Sequence, residues 1–262
     1  MTPEKEAVLP RWRIRLNKEL AHREEFASFD ATAWRALFRT RSVTSLNHDT
    51  VLALDWPHYC AHATEACGGA RGWCYTFQGR QASELHNRHV AMVDALARKK
   101  PALFAEIVHA EVTKEVAKGT LSYPNLRVSG SGEIVEAYVP ALSEILRLGV
   151  WLWGFTRNLR VAARLQELGV SMIFSCDRTS DPAVVKKARS MGLRLGYSSA
   201  DVSDIPPEGT VVTFPVHRVG RVQEVVDAPS LCPKVLSDFF HDSRPKAYCQ
   251  SHCRRCHLKE TP

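Results

Sequence analysis

No stretch of this chain is apolar for long enough to cross a bilayer. The longest apolar run, Leu148 to Phe155, falls far short of the roughly 20 residues a spanning helix needs. No apolar segment follows the polar start Met1-Thr2-Pro3-Glu4-Lys5-Glu6, so no secretory signal and no membrane are expected and the chain reads as cytoplasmic. Low-complexity tracts are missing as well. With 45% apolar and 24% charged residues in 262, the composition excludes collagen-like and wholly disordered chains and leaves enough length for a proper core. Several catalytic signatures are also absent. No Gly-Lys-Ser/Thr follows the glycine segment at 130–132, no third glycine makes it a dinucleotide fingerprint, and neither an HExxH helix nor a Ser-His-Asp arrangement is visible.

What remains is concentrated in cysteine. There are 8, too few for a disulfide scaffold of this length, and all but Cys176 fall in two groups. A cytosolic chain keeps its thiols reduced, so grouped cysteines read as metal or iron–sulfur ligands before disulfides. Cys60, Cys67 and Cys74 lie six residues apart in a loop that also holds Gly68, Gly69 and Gly72. Three thiolates leave one iron of a [4Fe–4S] cube without a protein ligand, and a chelating small molecule can fill that position. Zinc is the competing metal, with His58 or His62 closing a tetrahedral site. Cys232, Cys249, Cys253 and Cys256 form a complete four-thiolate set, either a second cluster or zinc. The end of that set also fits the Cys-x-x-Cys-His haem pattern, whose attachment normally goes with export. Cys176 reads as a small buried hydrophobe.

Short strands alternate with helices from Val51 onward. Strands are expected at Val51–Trp56, Leu126–Ser129, Trp151–Phe155, Val170–Phe174, Leu193–Tyr197 and Thr210–Val216. One helix is punctuated at both ends, by Asp181 and Pro182 at its start and Gly192 at its stop. The pattern implies a parallel sheet in an α/β fold, as a partial (β/α)6 barrel or a doubly wound sheet. The expected organisation is an N-terminal helical extension over 1–48, a partial barrel over 49–225 and a cysteine-rich tail over 226–262. In either architecture the loops after the strands form the active face. Those loops carry the three cysteines, then Ser129-Gly130-Ser131-Gly132-Glu133, then Thr156-Arg157-Asn158, then Ser175-Cys176-Asp177-Arg178. The glycines let a ligand approach the backbone, and Glu133 suits a ligand amine. Arg157 and Asp177 are candidates for substrate or cofactor carboxylate binding, or for a salt bridge at the strand ends. The histidines on the helices, His86, His89 and His109, read as surface or packing residues.

The loop end Gly72-Trp73-Cys74-Tyr75, the segments Arg127-Val128-Ser129-Gly130-Ser131-Gly132 and Trp153-Gly154-Phe155-Thr156-Arg157, and the multi-cysteine tail together resemble the phage-associated "gene product eighty-eight" domain family. That family in turn resembles radical S-adenosylmethionine enzymes in barrel order and cysteine loop. The resemblance spans about residues 50 to 258. It departs from the family at Ser131, where Asp is usual, and the wide Cys60, Cys67, Cys74 spacing departs from the Cys-x3-Cys-x2-Cys of radical enzymes. It implies one or two [4Fe–4S] clusters. S-adenosylmethionine would be gripped by Ser129, Gly130, Ser131, Gly132 and Glu133, with Thr156 and Ser175 beside it and Arg157 and Asp177 lining the catalytic pocket. It also implies a reductant protein such as a flavodoxin or ferredoxin. The net charge of +7, with the resemblance, points to a nucleoside or nucleic-acid substrate. The competing expectation is a non-enzymatic zinc protein that binds nucleic acid through its basic surface.

Overall fold

The computed structural model describes residues 11–46, 51–64, 67, 83–199 and 205–215. Cys74 and all four tail cysteines, Cys232, Cys249, Cys253 and Cys256, therefore lie outside the described residues, as does His217, which the sequence puts at the end of the last expected strand. Helix α1 (Arg11–Leu20) and helix α2 (Ala31–Leu37) lead into the short strand β1 (Thr44–Leu46), which the sequence pattern did not announce. Then come β2 (Leu52–Asp55), α3 (Glu84–Lys99), α4 (Pro101–Ala117), β3 (Asn125–Ser131) and α5 (Val139–Arg147). The chain continues with β4 (Trp151–Thr156), α6 (Leu159–Glu167), β5 (Ser171–Asp177), α7 (Pro182–Ser190), β6 (Arg194–Ser199) and β7 (Thr210–Pro215).

The seven strands form a single sheet in the order β1-β2-β3-β4-β5-β6-β7. Only β1 runs antiparallel to its neighbour; every pairing from β2 to β7 is parallel. This is an α/β fold, and among the described residues the strand order does not turn back at a switch point as it does in a doubly wound sheet.

Alternation along the strands divides their side chains between two faces. Leu54, Leu126, Val128, Leu152, Met172, Phe174, Cys176, Leu195 and Tyr197 join one core with Leu96, Phe104, Val108, Leu142, Ile145, Val161, Leu165, Val185 and Ala188 of the helices. One face of the sheet is thus covered by the helical layer, and burying that apolar surface is the main stabilising term. The other face carries Arg127 of β3, Trp153 and Phe155 of β4, and Ile173, Ser175 and Asp177 of β5. The Arg127 guanidinium carbon lies 5.9 Å from the Trp153 ring centroid and 5.2 Å from that of Phe155.

Local signals account for the helix ends. The Asp181 side chain accepts from Ala183 N, Pro182 opens α7, and Gly192 follows its end at φ 72°. The strands outlast their expected ends. Gly130 and Ser131 belong to β3, and Ser175, Cys176 and Asp177 belong to β5, where sequence alone placed loops. Strand hydrogen bonds reach past the apolar residues because the neighbouring strand tips hold the backbone.

Among the described residues, no helix is long and apolar enough to cross a membrane.

Candidate functional site at the strand tips

The site begins where β2 ends. Trp56 stacks on Tyr138 at 4.1 Å between ring centroids, and its Nε1 donates to Val128 O. Beyond it the backbone runs against the glycine segment: Trp56 N donates to Ser131 O at 3.0 Å, and Glu133 N to Pro57 O at 3.3 Å. Gly132, at φ 71°, faces Trp56 so closely that a Cβ there would lie 1.8 Å from the Trp56 carbonyl oxygen. Gly130 is similarly constrained, since its Cβ would fall 2.6 Å from Asp55 Oδ1. These glycines let the first loop and the strand β3 tip pack backbone to backbone, rather than merely allowing a turn.

The cysteine loop is anchored from three directions. His58 donates its backbone N–H to Glu19 Oε2 at 2.8 Å, and its Nδ1 lies 2.7 Å from Glu19 Oε1. Glu19 is fully buried on α1 and also receives Arg15 Nε at 2.9 Å. The Tyr59 hydroxyl accepts from Arg23 Nη2 at 2.7 Å, and the Tyr59 ring lies 5.2 Å from the Arg98 guanidinium carbon. Both arginines pair with the buried Asp94 of α3, which also receives the Tyr138 hydroxyl. Burial pushes the Tyr138 hydroxyl well above its usual range, and the Asp94 charge adds to the effect. The third anchor is Thr64. Its Oγ1 donates to Asp177 Oδ2 at 2.5 Å and accepts from Cys67 N at 3.2 Å.

Cys60 and Cys67, the two described cysteines of this loop, are half-buried. Thr64 ties Cys67 to the tip of β5. No group of three His, Cys, Asp or Glu side chains among the described residues is placed to hold a metal. The third thiol of the loop set, Cys74, lies outside them.

The tips of β4 and β5 complete the arrangement. Arg157 Nη2 pairs with Asp177 Oδ2 at 2.9 Å, with side-chain exposures of 9% and 1%. Burial works to raise the Asp177 pKa. The Arg157 charge and the donors on Thr64 and Thr179 outweigh it, and the carboxyl is held below its usual range. Glu133 is turned into the frame. It accepts from Thr156 Oγ1 at 2.5 Å, from Ile134 N at 3.1 Å and from the Arg157 backbone, while burial pushes its carboxyl up. Thr156 Oγ1 in turn accepts from Asn158 N at 2.9 Å. Ser129 and Ser131 are buried and Ser175 is half-buried.

Cys176 points to the helical side. It is fully buried, with Sγ 3.5 Å from Gly196 O, and burial pushes its thiol up to about 11. Its surroundings are those of a small buried hydrophobe, as the sequence suggests. Arg178 and His62 are exposed.

Ser129, Gly130, Ser131, Gly132, Glu133, Thr156, Arg157, Ser175 and Asp177 therefore all lie at the carboxyl ends of β3, β4 and β5. The Thr64–Asp177 bond draws the Cys60–Cys67 loop onto the same end. Four residues of this frame carry no motif and escape a motif-based reading: Glu19, Arg23, Thr64 and Asp94. The one signal for Thr64 is its place midway between two cysteines.

Comparison with known proteins returns no relatives: no family model, no curated protein and no solved structure matches the chain.

Proposed function

We propose that the protein is an iron–sulfur enzyme of radical S-adenosylmethionine type, built on a partial (β/α)6 barrel whose strand tips form the active mouth. The observation that carries this reading is the Thr64–Asp177 hydrogen bond, which seats a cysteine loop on the tips of β4 and β5 beside a glycine segment at the end of β3. The donor set fits in chemistry as far as it is described. Cys60 and Cys67 are half-buried thiols on one anchored loop, and Cys74 would be the third ligand. A [4Fe–4S] cluster with S-adenosylmethionine, when bound, supplies one-electron cleavage of the sulfonium carbon–sulfur bond.

The chain's own residues perform the rest. Glu19, Arg23 and Asp94 fix the loop's first half through His58 and Tyr59, and Thr64 fixes Cys67. Gly130 and Gly132 let the β3 tip pack directly against the Ala53–Pro57 segment, which fixes the two strand ends to one another. Arg157 and Asp177 line the mouth as a fixed polar pair, and Ser175 stands beside them. Cys232, Cys249, Cys253 and Cys256 would hold a second cluster. A flavodoxin or ferredoxin would deliver the electron, and a nucleoside or nucleic acid suits the basic chain as substrate.

The test is reductive cleavage of S-adenosylmethionine by protein purified and reduced without oxygen. Wild-type protein should cleave the cofactor and Cys67→Ala should not, while keeping the tail cluster. Cleavage that survives Cys67→Ala removes the loop from the mechanism.

One observation favours a second reading. The Nδ1 atom of His58 is held by the buried Glu19 carboxylate, the arrangement that orients many metal-bound histidines. A zinc site made of His58 with loop thiolates, in a protein that binds nucleic acid without catalysis, is the alternative that metal analysis separates from the first.

A further inference from the structure

Arg157 has one end of its guanidinium in use and one end idle. Nη2 pairs with Asp177, whereas Nη1 is buried and has no hydrogen-bond partner among the described residues. The side chain as a whole is only 9% exposed. A buried cationic donor without an acceptor is costly, so such an atom marks a place that another molecule fills.

The nearby carboxylates do not supply that acceptor. Asp177 is locked by Thr64 Oγ1, Thr179 N and Thr179 Oγ1, so it does not swing across to the second nitrogen. Glu133 is occupied by Thr156 Oγ1, Ile134 N and the Arg157 backbone. The same face of the sheet carries a second cation, Arg127, stacked against Trp153 and Phe155, with its Nε also buried and lacking a partner. Arg127 and Arg157 thus each keep one buried nitrogen without an acceptor on this face.

We propose that Arg157 Nη1 is the receptor for an anionic oxygen group, a carboxylate or a phosphate, on the molecule that binds at the strand tips. Thr64 and Asp177 hold the guanidinium in place for it. A planar guanidinium directs its donors at such oxygens with fixed geometry, which a lysine ammonium does not reproduce. Because Thr64 also receives the Cys67 backbone N–H, the hold on Arg157 is continuous with the cysteine loop. The inference rests on the proposed reading of the strand tips as the ligand mouth, but not on which metal the loop binds.

The experiment is calorimetric titration of the full-length protein with three probes: S-adenosylmethionine, its decarboxylated analogue and inorganic phosphate. Wild-type protein should bind S-adenosylmethionine or phosphate. A preference for S-adenosylmethionine over the decarboxylated form assigns the anion to the cofactor, and phosphate binding assigns it to the substrate. Arg157→Lys keeps a charge to pair with Asp177 but removes the second nitrogen, and should weaken the bound probe by about tenfold or more. Binding of neither anion by wild-type protein, or equal binding by folded Arg157→Lys, overturns the proposal. If Arg157→Lys does not fold, Thr64→Val takes its place. It leaves both Arg157 and Asp177 present, and should weaken the probe about threefold or more through loss of one charge-assisted hydrogen bond; unchanged binding there overturns the proposal. Phosphate binding that depends on Arg157 in a protein without iron would sink the radical-enzyme reading and leave this inference standing. Cofactor cleavage indifferent to Arg157→Lys would do the reverse.

Discussion

Gly132 shows how a single residue sets the shape of the mouth. Its φ of 71° and the 1.8 Å approach of a hypothetical Cβ to the Trp56 carbonyl mean that any side chain must move backbone, not another side chain. Gly132→Ala should therefore cost about 1–3 kcal/mol or more in urea denaturation, beyond what a tolerant surface glycine would show. A change within about 0.5 kcal/mol would show that the β2 and β3 tips are not packed this closely. His86 gives a prediction in pH. Burial is the main cause that lowers its pKa from 6.5 to about 4, with Asp55 opposing and His89 assisting. The unfolded chain thus takes up this proton first as pH falls. The stability is full above pH 6.5 and is lost as pH drops towards 4, at up to roughly 1 kcal/mol per pH unit. His86→Gln should flatten that slope in denaturation series across the window, and an unchanged slope would place the titration elsewhere.

Among the elements, α1 is part of the site's frame. Glu19 takes Arg15, the His58 backbone and the His58 ring at once, all in the interior. Glu19→Gln keeps the shape but removes the charge that balances Arg15, and breaking a buried pair in this way costs about 3–5 kcal/mol. The same variant should raise hydrogen exchange at residues 58–64. Loss of less than about 1 kcal/mol with unchanged exchange would detach α1 from the loop. The sequence reading stops short of this element for a physical reason. Strands leave short apolar runs and intervening helices leave periodic ones, so β2 to β7 are legible in the sequence, and Asp181, Pro182 and Gly192 announce both ends of α7. Glu19, Arg23 and Asp94 look like ordinary helix-surface charges until folding buries Glu19 and Asp94 and brings Arg23 onto Tyr59. Their pairing spans up to 71 positions, a relation that no local pattern encodes. The tips of β3 and β5 look like loops in the sequence because polar residues there break the apolar run while the hydrogen bonding continues. The candidate residues Glu133, Thr156, Arg157 and Asp177 were legible as chemistry, but their engagement with one another was not.

For the whole molecule, the described strands form a sheet, parallel from β2 to β7, whose second face carries Arg127, Trp153, Phe155 and Asp177, and Thr64 draws Cys67 to the same strand ends. On the proposed reading the Cys60–Cys67–Cys74 loop holds an open iron–sulfur cluster and the tail a closed one. The most direct test of that reading is the iron, sulfide and zinc content of protein purified without oxygen. About eight irons with matching sulfide, two cubes' worth, is the predicted result, and Cys67→Ala should retain about half. Zinc alone, with no sulfide and none of the visible absorbance of iron–sulfur centres, would contradict it.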